Sequence, residues 1–135
     1  MVLRFLTSLV FASLIFPPEV LGDGIEKRVV FPKGKATVTY RGKVPFGGDR
    51  DSYVVRAAKG KTLSVKLISE DAEAFIAIYE TKVLGPEEDT VLGFDKKVSV
   101  WSGKVPVTGE YDVQVHDASE NGINRAPYTI EISLK

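Results

Sequence analysis

From Arg28 to the carboxyl end, apolar and polar residues alternate with a period of two, and glycine or proline breaks the pattern at short intervals. Ala36, Val38 and Tyr40 alternate with Lys35, Thr37, Thr39 and Arg41. Tyr53, Val55 and Ala57 alternate with Ser52, Val54 and Arg56, and Leu63, Val65 and Leu67 with Thr62, Ser64 and Lys66. Tyr111, Val113 and Val115 then alternate with Asp112, Gln114 and His116, and Tyr128, Ile130, Ile132 and Leu134 with Thr129, Glu131 and Ser133. Successive side chains of a strand point to opposite faces, so each run describes a strand with one buried face. No segment beyond Arg28 sustains the helical period of about 3.6 residues.

Val29 with Phe31, and Val98 with Val100, add two shorter strand signals, and Phe75 to Tyr79 is a continuous apolar run that suits burial on both faces. The breakers fall between these runs. Pro32-Lys33-Gly34 separates the first two, and Lys59-Gly60 sits where a hairpin loop belongs. Val107-Thr108-Gly109 precedes the Tyr111 strand. Gly85-Pro86-Glu87-Glu88-Asp89 reads as an exposed acidic loop, and Asp117 to Pro127, containing Asn121-Gly122, as a second long loop. About eight short strands with regular turn signals predict an all-β protein, an antiparallel β-sandwich of jelly-roll type.

A chain of 135 residues suffices for one such domain with a real core. Residues 1–22 read as a signal peptide. Met1 to Arg4 is a basic start, Phe5 to Phe16 an apolar stretch too short to span a bilayer, and Pro17-Pro18 a helix breaker before a cleavage region ending at Gly22. The mature domain is then 23–135, expected to be periplasmic or secreted. Removing Arg4 and Glu19 leaves 17 basic and 17 acidic residues (18 − 1 each). That balance argues against nucleic-acid binding, which needs a basic face. The absence of cysteine rules out disulfides, thiol catalysis and thiolate metal sites.

Chemistry-bearing residues are few. Asp49-Arg50-Asp51 follows Gly47-Gly48. Two carboxylates around a guanidinium can grip a polar partner, or the aspartates can simply bond their own backbone in a turn. The segment holds too few oxygen ligands for Ca²⁺, so no metal and no cofactor is expected. His116, the lone histidine, shares a strand face with Asp112 and Gln114. No Gly-x-Ser-x-Gly elbow accompanies it, so it reads as an exposed structural or interface residue rather than a general base. Trp101 suits core or edge packing, with a sugar-stacking platform as the alternative. The 117–127 loop, with Asn121, Asn124 and Arg125, is longer than a hairpin needs and is the best protein-binding segment.

Asp51-Ser52-Tyr53-Val54-Val55 followed by Lys59-Gly60-Lys61-Thr62-Leu63-Ser64-Val65 resembles bacterial pre-peptidase C-terminal (PPC) domains. So does Trp101-Ser102-Gly103-Lys104-Val105-Pro106 to Gly109-Glu110-Tyr111, with the later Tyr128-Thr129-Ile130. The whole order is similar to a stand-alone relative of those domains, the periplasmic inhibitors of g-type lysozyme. Phe31-Pro32-Lys33-Gly34, Asp49 and Asp51 before Tyr53, the Lys-Gly turn and the Gly-x-Tyr strand stand in the same sequence. The resemblance implies a non-catalytic protein that plugs the cleft of a lysozyme with loops from one end of the sandwich. In that family the residue between the two aspartates is Tyr, and the last long loop is rich in Arg and Lys. Here those places hold Arg50 and, in the loop, only Arg125. The expected partner surface is therefore Asp49, Arg50, Asp51, His116, Asn121, Asn124 and Arg125, with a protein partner. A recognition module for polysaccharide or another envelope protein is the alternative.

Overall fold

The computed structural model describes residues 24–45, 49–81, 90–94, 99–118 and 125–135, with the backbone alone for 90–94. The strands are β1 (Glu26–Arg28), β2 (Thr37–Lys43), β3 (Asp51–Ala57), β4 (Thr62–Ser69), β5 (Ala74–Thr81), β6 (Thr90–Phe94), β7 (Val100–Lys104), β8 (Gly109–Asp117) and β9 (Pro127–Leu134). They form a five-stranded sheet in the order β1-β3-β8-β5-β6 and a four-stranded sheet in the order β2-β9-β4-β7. Leaving β1 aside, the orders 3-8-5-6 and 2-9-4-7 are those of a jelly roll, in which all pairings are antiparallel. The expected all-β sandwich is the observed fold.

Two details correct the sequence reading. The first strand lies at Glu26–Arg28, earlier than the Val29–Phe31 signal, and it pairs with β3 in parallel. Strand β6 falls where the sequence suggested only loop. Neither could be read from alternation. Three residues are too few to show a period, and β6 (Thr-Val-Leu-Gly-Phe) is interrupted by Gly93. The acidic run Glu87-Glu88-Asp89 lies outside the described residues.

Turn signals also misled about pairing. Lys59-Gly60 does not close a hairpin, because β3 and β4 belong to opposite sheets. The chain crosses the core there, with Gly60 at φ +88 and Lys61 N–H donating to the Ala58 carbonyl at 3.2 Å. That φ is costly for any residue with a Cβ. The Gly60 N–H donates to Val105 at 2.9 Å, tying this crossing to the one between β7 and β8. Tyr111 seals the second crossing. Its ring is fully buried and its hydroxyl donates back to the Val107 carbonyl at 2.5 Å.

The core lies between the sheets. Tyr53, Val55, Ile76, Ile78, Tyr111, Val113 and Val115 meet Leu63, Val65, Leu67, Tyr128, Ile130 and Ile132. Each buried aliphatic side chain contributes about 1.5–3 kcal/mol of transfer free energy. Trp101 packs against this cluster, and a Cβ on Gly103 would come within 2.7 Å of its ring. The indole is therefore a packing element. The apolar run of β5 is buried on both faces, since Phe75, Ile76, Ala77 and Ile78 are all shielded.

Candidate functional site

One end of the sandwich collects most of the residues singled out from the sequence. Antiparallel register puts Asp51 opposite Val115 and Phe75 opposite His116, which brings Arg50, immediately before β3, beside His116. The Val44 N–H donates to the Ala126 carbonyl at 2.8 Å, so the segment leaving β2 and the segment entering β9 meet at the same end. The turn between β4 and β5 joins them, with Ala118 N–H donating to the Glu73 carbonyl at 2.9 Å. Asp49 is half-buried, Arg50 exposed, and His116 and Arg125 half-buried. Asn121 and Asn124 lie outside the described residues.

Asp51 behaves differently from its neighbours. Only 4% of it is exposed, and both carboxylate oxygens are engaged. Oδ1 accepts the Ile25 N–H at 3.0 Å, and Oδ2 accepts the Tyr128 hydroxyl at 2.6 Å. The Tyr128 oxygen lies 2.6 Å from that of Tyr53. Because a carboxylate only accepts, Tyr128 gives its proton to Asp51, and Tyr53 in turn donates to Tyr128. Burial pushes the Tyr53 phenol up to about 12. Burial, and then the bond to Asp51, raise Tyr128 well beyond the ordinary phenol range. Asp51 is thus an internal fastener that joins β1, β3 and β9, not a side chain held out to a partner. Its parity was the available signal, since it alternates in phase with Tyr53 and Val55. The partners could not be foreseen, because Tyr128 is 77 residues away in the chain.

That fastener sets the backbone of Arg50. Ser52 N–H donates to the Ile25 carbonyl at 2.8 Å, so the segment before β1 runs directly beneath Arg50. Gly24 permits the approach. A Cβ there would fall 1.5 Å from the Arg50 carbonyl oxygen. Neither Gly24 nor Tyr128 carried a sequence signal for this role.

His116 completes a row across the outer face of the five-stranded sheet. Its ring stacks on Phe75, with centroids 5.2 Å apart and planes at 11°. Nε2 lies 2.8 Å from Gln114 Oε1, and Gln114 Nε2 donates to Asp112 Oδ2 at 2.7 Å. The amide orientation makes His116 Nε2 the donor. Burial, then the Arg50 charge, lower its pKa. Arg50 and His116 therefore set a cation beside a neutral imidazole, with the buried Phe75 ring backing the imidazole. Asp117 lies on the inward side of the same strand end and is largely buried. Asp71, capping Glu73 N–H at 2.9 Å, is raised by burial and by the neighbouring Asp117 carboxylate. Among the described residues no group of three or more His, Asp or Glu is placed to hold a metal ion.

Comparison with protein-family models finds no match, and comparison with curated sequences finds none either. Solved structures do match. The periplasmic inhibitor of g-type lysozyme from Aeromonas hydrophila, PliG, superimposes with a TM-score of 0.70 at 22% identity, over 84% of this chain and 99% of that one. This chain has the PliG fold. PliG from Salmonella Typhimurium gives 0.59 at 24% identity, over 83% of this chain and 99% of its own. The pre-peptidase C-terminal domain of a Bacillus anthracis collagenase gives 0.51 at 16%, over 83% and 96%. The resemblance read from the two motif blocks thus holds at the level of fold, for PliG and PPC structures alike.

Proposed function

We propose that this is an exported, non-catalytic protein, periplasmic or secreted, that inhibits g-type lysozyme by stoichiometric occlusion. The end of the sandwich carrying Asp49, Arg50, His116 and Arg125 is the inhibitory surface, and Asn121 and Asn124 belong to its last loop. The observation that carries this reading is the row Arg50–His116–Phe75 on a PliG-type framework, with the Arg50 backbone clamped from below by Gly24 and Asp51. A lysozyme cleft presents a catalytic carboxylate. An exposed guanidinium on a fixed backbone meets such a group with little ordering cost. A charge-assisted bond of that kind contributes about 1.5–3 kcal/mol. The neutral His116 ring, backed by the buried Phe75, flanks the pair.

In support of a non-catalytic role, the described contacts of His116 are to an amide and a phenyl ring. The test is a lytic assay of purified protein against g-type, c-type and i-type lysozymes. Inhibition of the g-type enzyme that saturates near equimolar addition is expected. Undiminished lysis at roughly tenfold molar excess would reject the reading.

A further inference from the structure

The two outer faces of the sandwich differ in kind. On the five-stranded sheet, Ser52, Phe75, Ala77 and Gln114 are shielded although they point away from the core. On the four-stranded sheet, the outward residues of all strands are exposed or half-exposed. Register aligns Thr37, Ser133, Ser64 and Ser102 in one row that crosses β2, β9, β4 and β7. The outer pairs are bonded within the row. Thr37 Oγ1 lies 2.7 Å from Ser133 Oγ, and Ser64 Oγ lies 2.9 Å from Ser102 Oγ. Each hydroxyl retains further donor or acceptor capacity toward solvent.

Cations flank this row. Lys66 stands two residues beyond Ser64 on β4, and Lys104 two residues beyond Ser102 on β7. Arg41 and Lys43 occupy the far corner on β2. The one carboxylate among the outward residues of these strands is Glu131. The chain as a whole is neutral, so this face holds an excess of positive charge that acid elsewhere balances. The net charge that argued against nucleic-acid binding is an average over two unlike sheets. Ile68 and Val100, 49% and 63% exposed, lie beside Lys66 and add a small apolar corner. No aromatic side chain stands on this face among the described residues.

The geometry points to a second binding surface here, for an anionic polysaccharide. Strands lie about 4.8 Å apart, so the row offers hydroxyls at roughly the pitch of successive sugar residues. Sugar hydroxyls would bond the Thr and Ser oxygens, and carboxylate or phosphate groups on the chain would pair with Lys66, Lys104, Arg41 and Lys43. The cations alone would suit any polyanion; the bonded hydroxyl row favours a partner that is itself hydroxylated. Arg41 and Lys43 reach toward the loop end, but the hydroxyl row with Lys66 and Lys104 lies on the sheet opposite Arg50, and the inference does not depend on the inhibitor reading. This surface would hold the protein against the envelope glycans while leaving the loop end open.

The test is binding of the purified protein to immobilised polygalacturonate, with dextran as the neutral control. Binding to polygalacturonate and not to dextran is expected, weakening roughly tenfold from about 50 to 200 mM salt. Lys66→Glu with Lys104→Glu should abolish it with the far-UV spectrum and melting temperature retained, while Arg56→Glu, on the other sheet, should leave it intact. Ser64→Val with Ser102→Val should weaken it several-fold. Equal loss with Arg56→Glu would overturn the inference, as would no effect of the serine pair. So would tighter binding to phosphatidylglycerol vesicles or duplex DNA than to the glycan. Lysis assays on the lysine variant read the other site separately.

Discussion

Asp51, Tyr128 and Tyr53 form a directed chain of hydrogen bonds, and the direction ranks their worth. Asp51→Ala leaves Ile25 N–H and the Tyr128 hydroxyl without an acceptor, and should cost about 3 kcal/mol or more. Tyr128→Phe strands one carboxylate oxygen and the Tyr53 hydroxyl, for about 2 kcal/mol. Tyr53→Phe removes a terminal donor and should cost about 1 kcal/mol. Urea denaturation checks the order; Tyr53→Phe as the worst of the three would refute the proton assignment. The same chain sets an alkaline limit. Tyr53 is raised from 10.0 to about 12, so the unfolded state ionises first and stability, full below pH 10, is lost as pH rises through 12. Tyr53 should remain protonated in folded protein near pH 11, between the unfolded and folded values. Its phenolate absorbance, read as the difference from Tyr53→Phe, should appear together with loss of strand circular dichroism. Phenolate formation below that pH with the fold intact would contradict the buried network. Part of this was legible: Asp51 and Asp117 share parity with core residues on their strands. What alternation cannot carry is the identity of a partner on another sheet.

At the scale of elements, β1 is the addition to the jelly roll that matters for the site. It holds β3 through Ser52 N–H to Ile25 at 2.8 Å and Val29 N–H to Val54 at 2.9 Å. Gly24→Ala must push this segment or Arg50 aside, since the new methyl would overlap the Arg50 carbonyl. A cost of about 1–3 kcal/mol is expected. Amide exchange at Ser52 and Val29 should accelerate, and exchange in β8 and β9 should change little. Uniform acceleration throughout would show that β1 is no separate unit. Alternation revealed the inward face of nearly every long strand, because the period belongs to the strand itself. It gave no pairing partner, because pairing here is almost wholly between distant segments. Among the described strands, only β5 and β6 are both consecutive and hydrogen-bonded to each other. Lys59-Gly60 has the chemistry of a hairpin turn and makes a crossing between sheets instead.

At the scale of the whole molecule, the fold separates three regions. The space between the sheets carries stability, one end carries the Arg50–His116–Phe75 row, and the outer face of the four-stranded sheet carries hydroxyls and positive charge. The PliG fold is shared at 22–24% identity, so the proposed inhibition rests on the side chains at the loop end. Arg50 is the residue on which the account depends. Calorimetric titration of the purified protein into g-type lysozyme tests that dependence most directly. A single transition at one protein per enzyme is predicted, and Arg50→Ala should weaken it by roughly tenfold to hundredfold. An absence of binding by the wild-type protein, or an Arg50→Ala variant that binds as tightly, would contradict it.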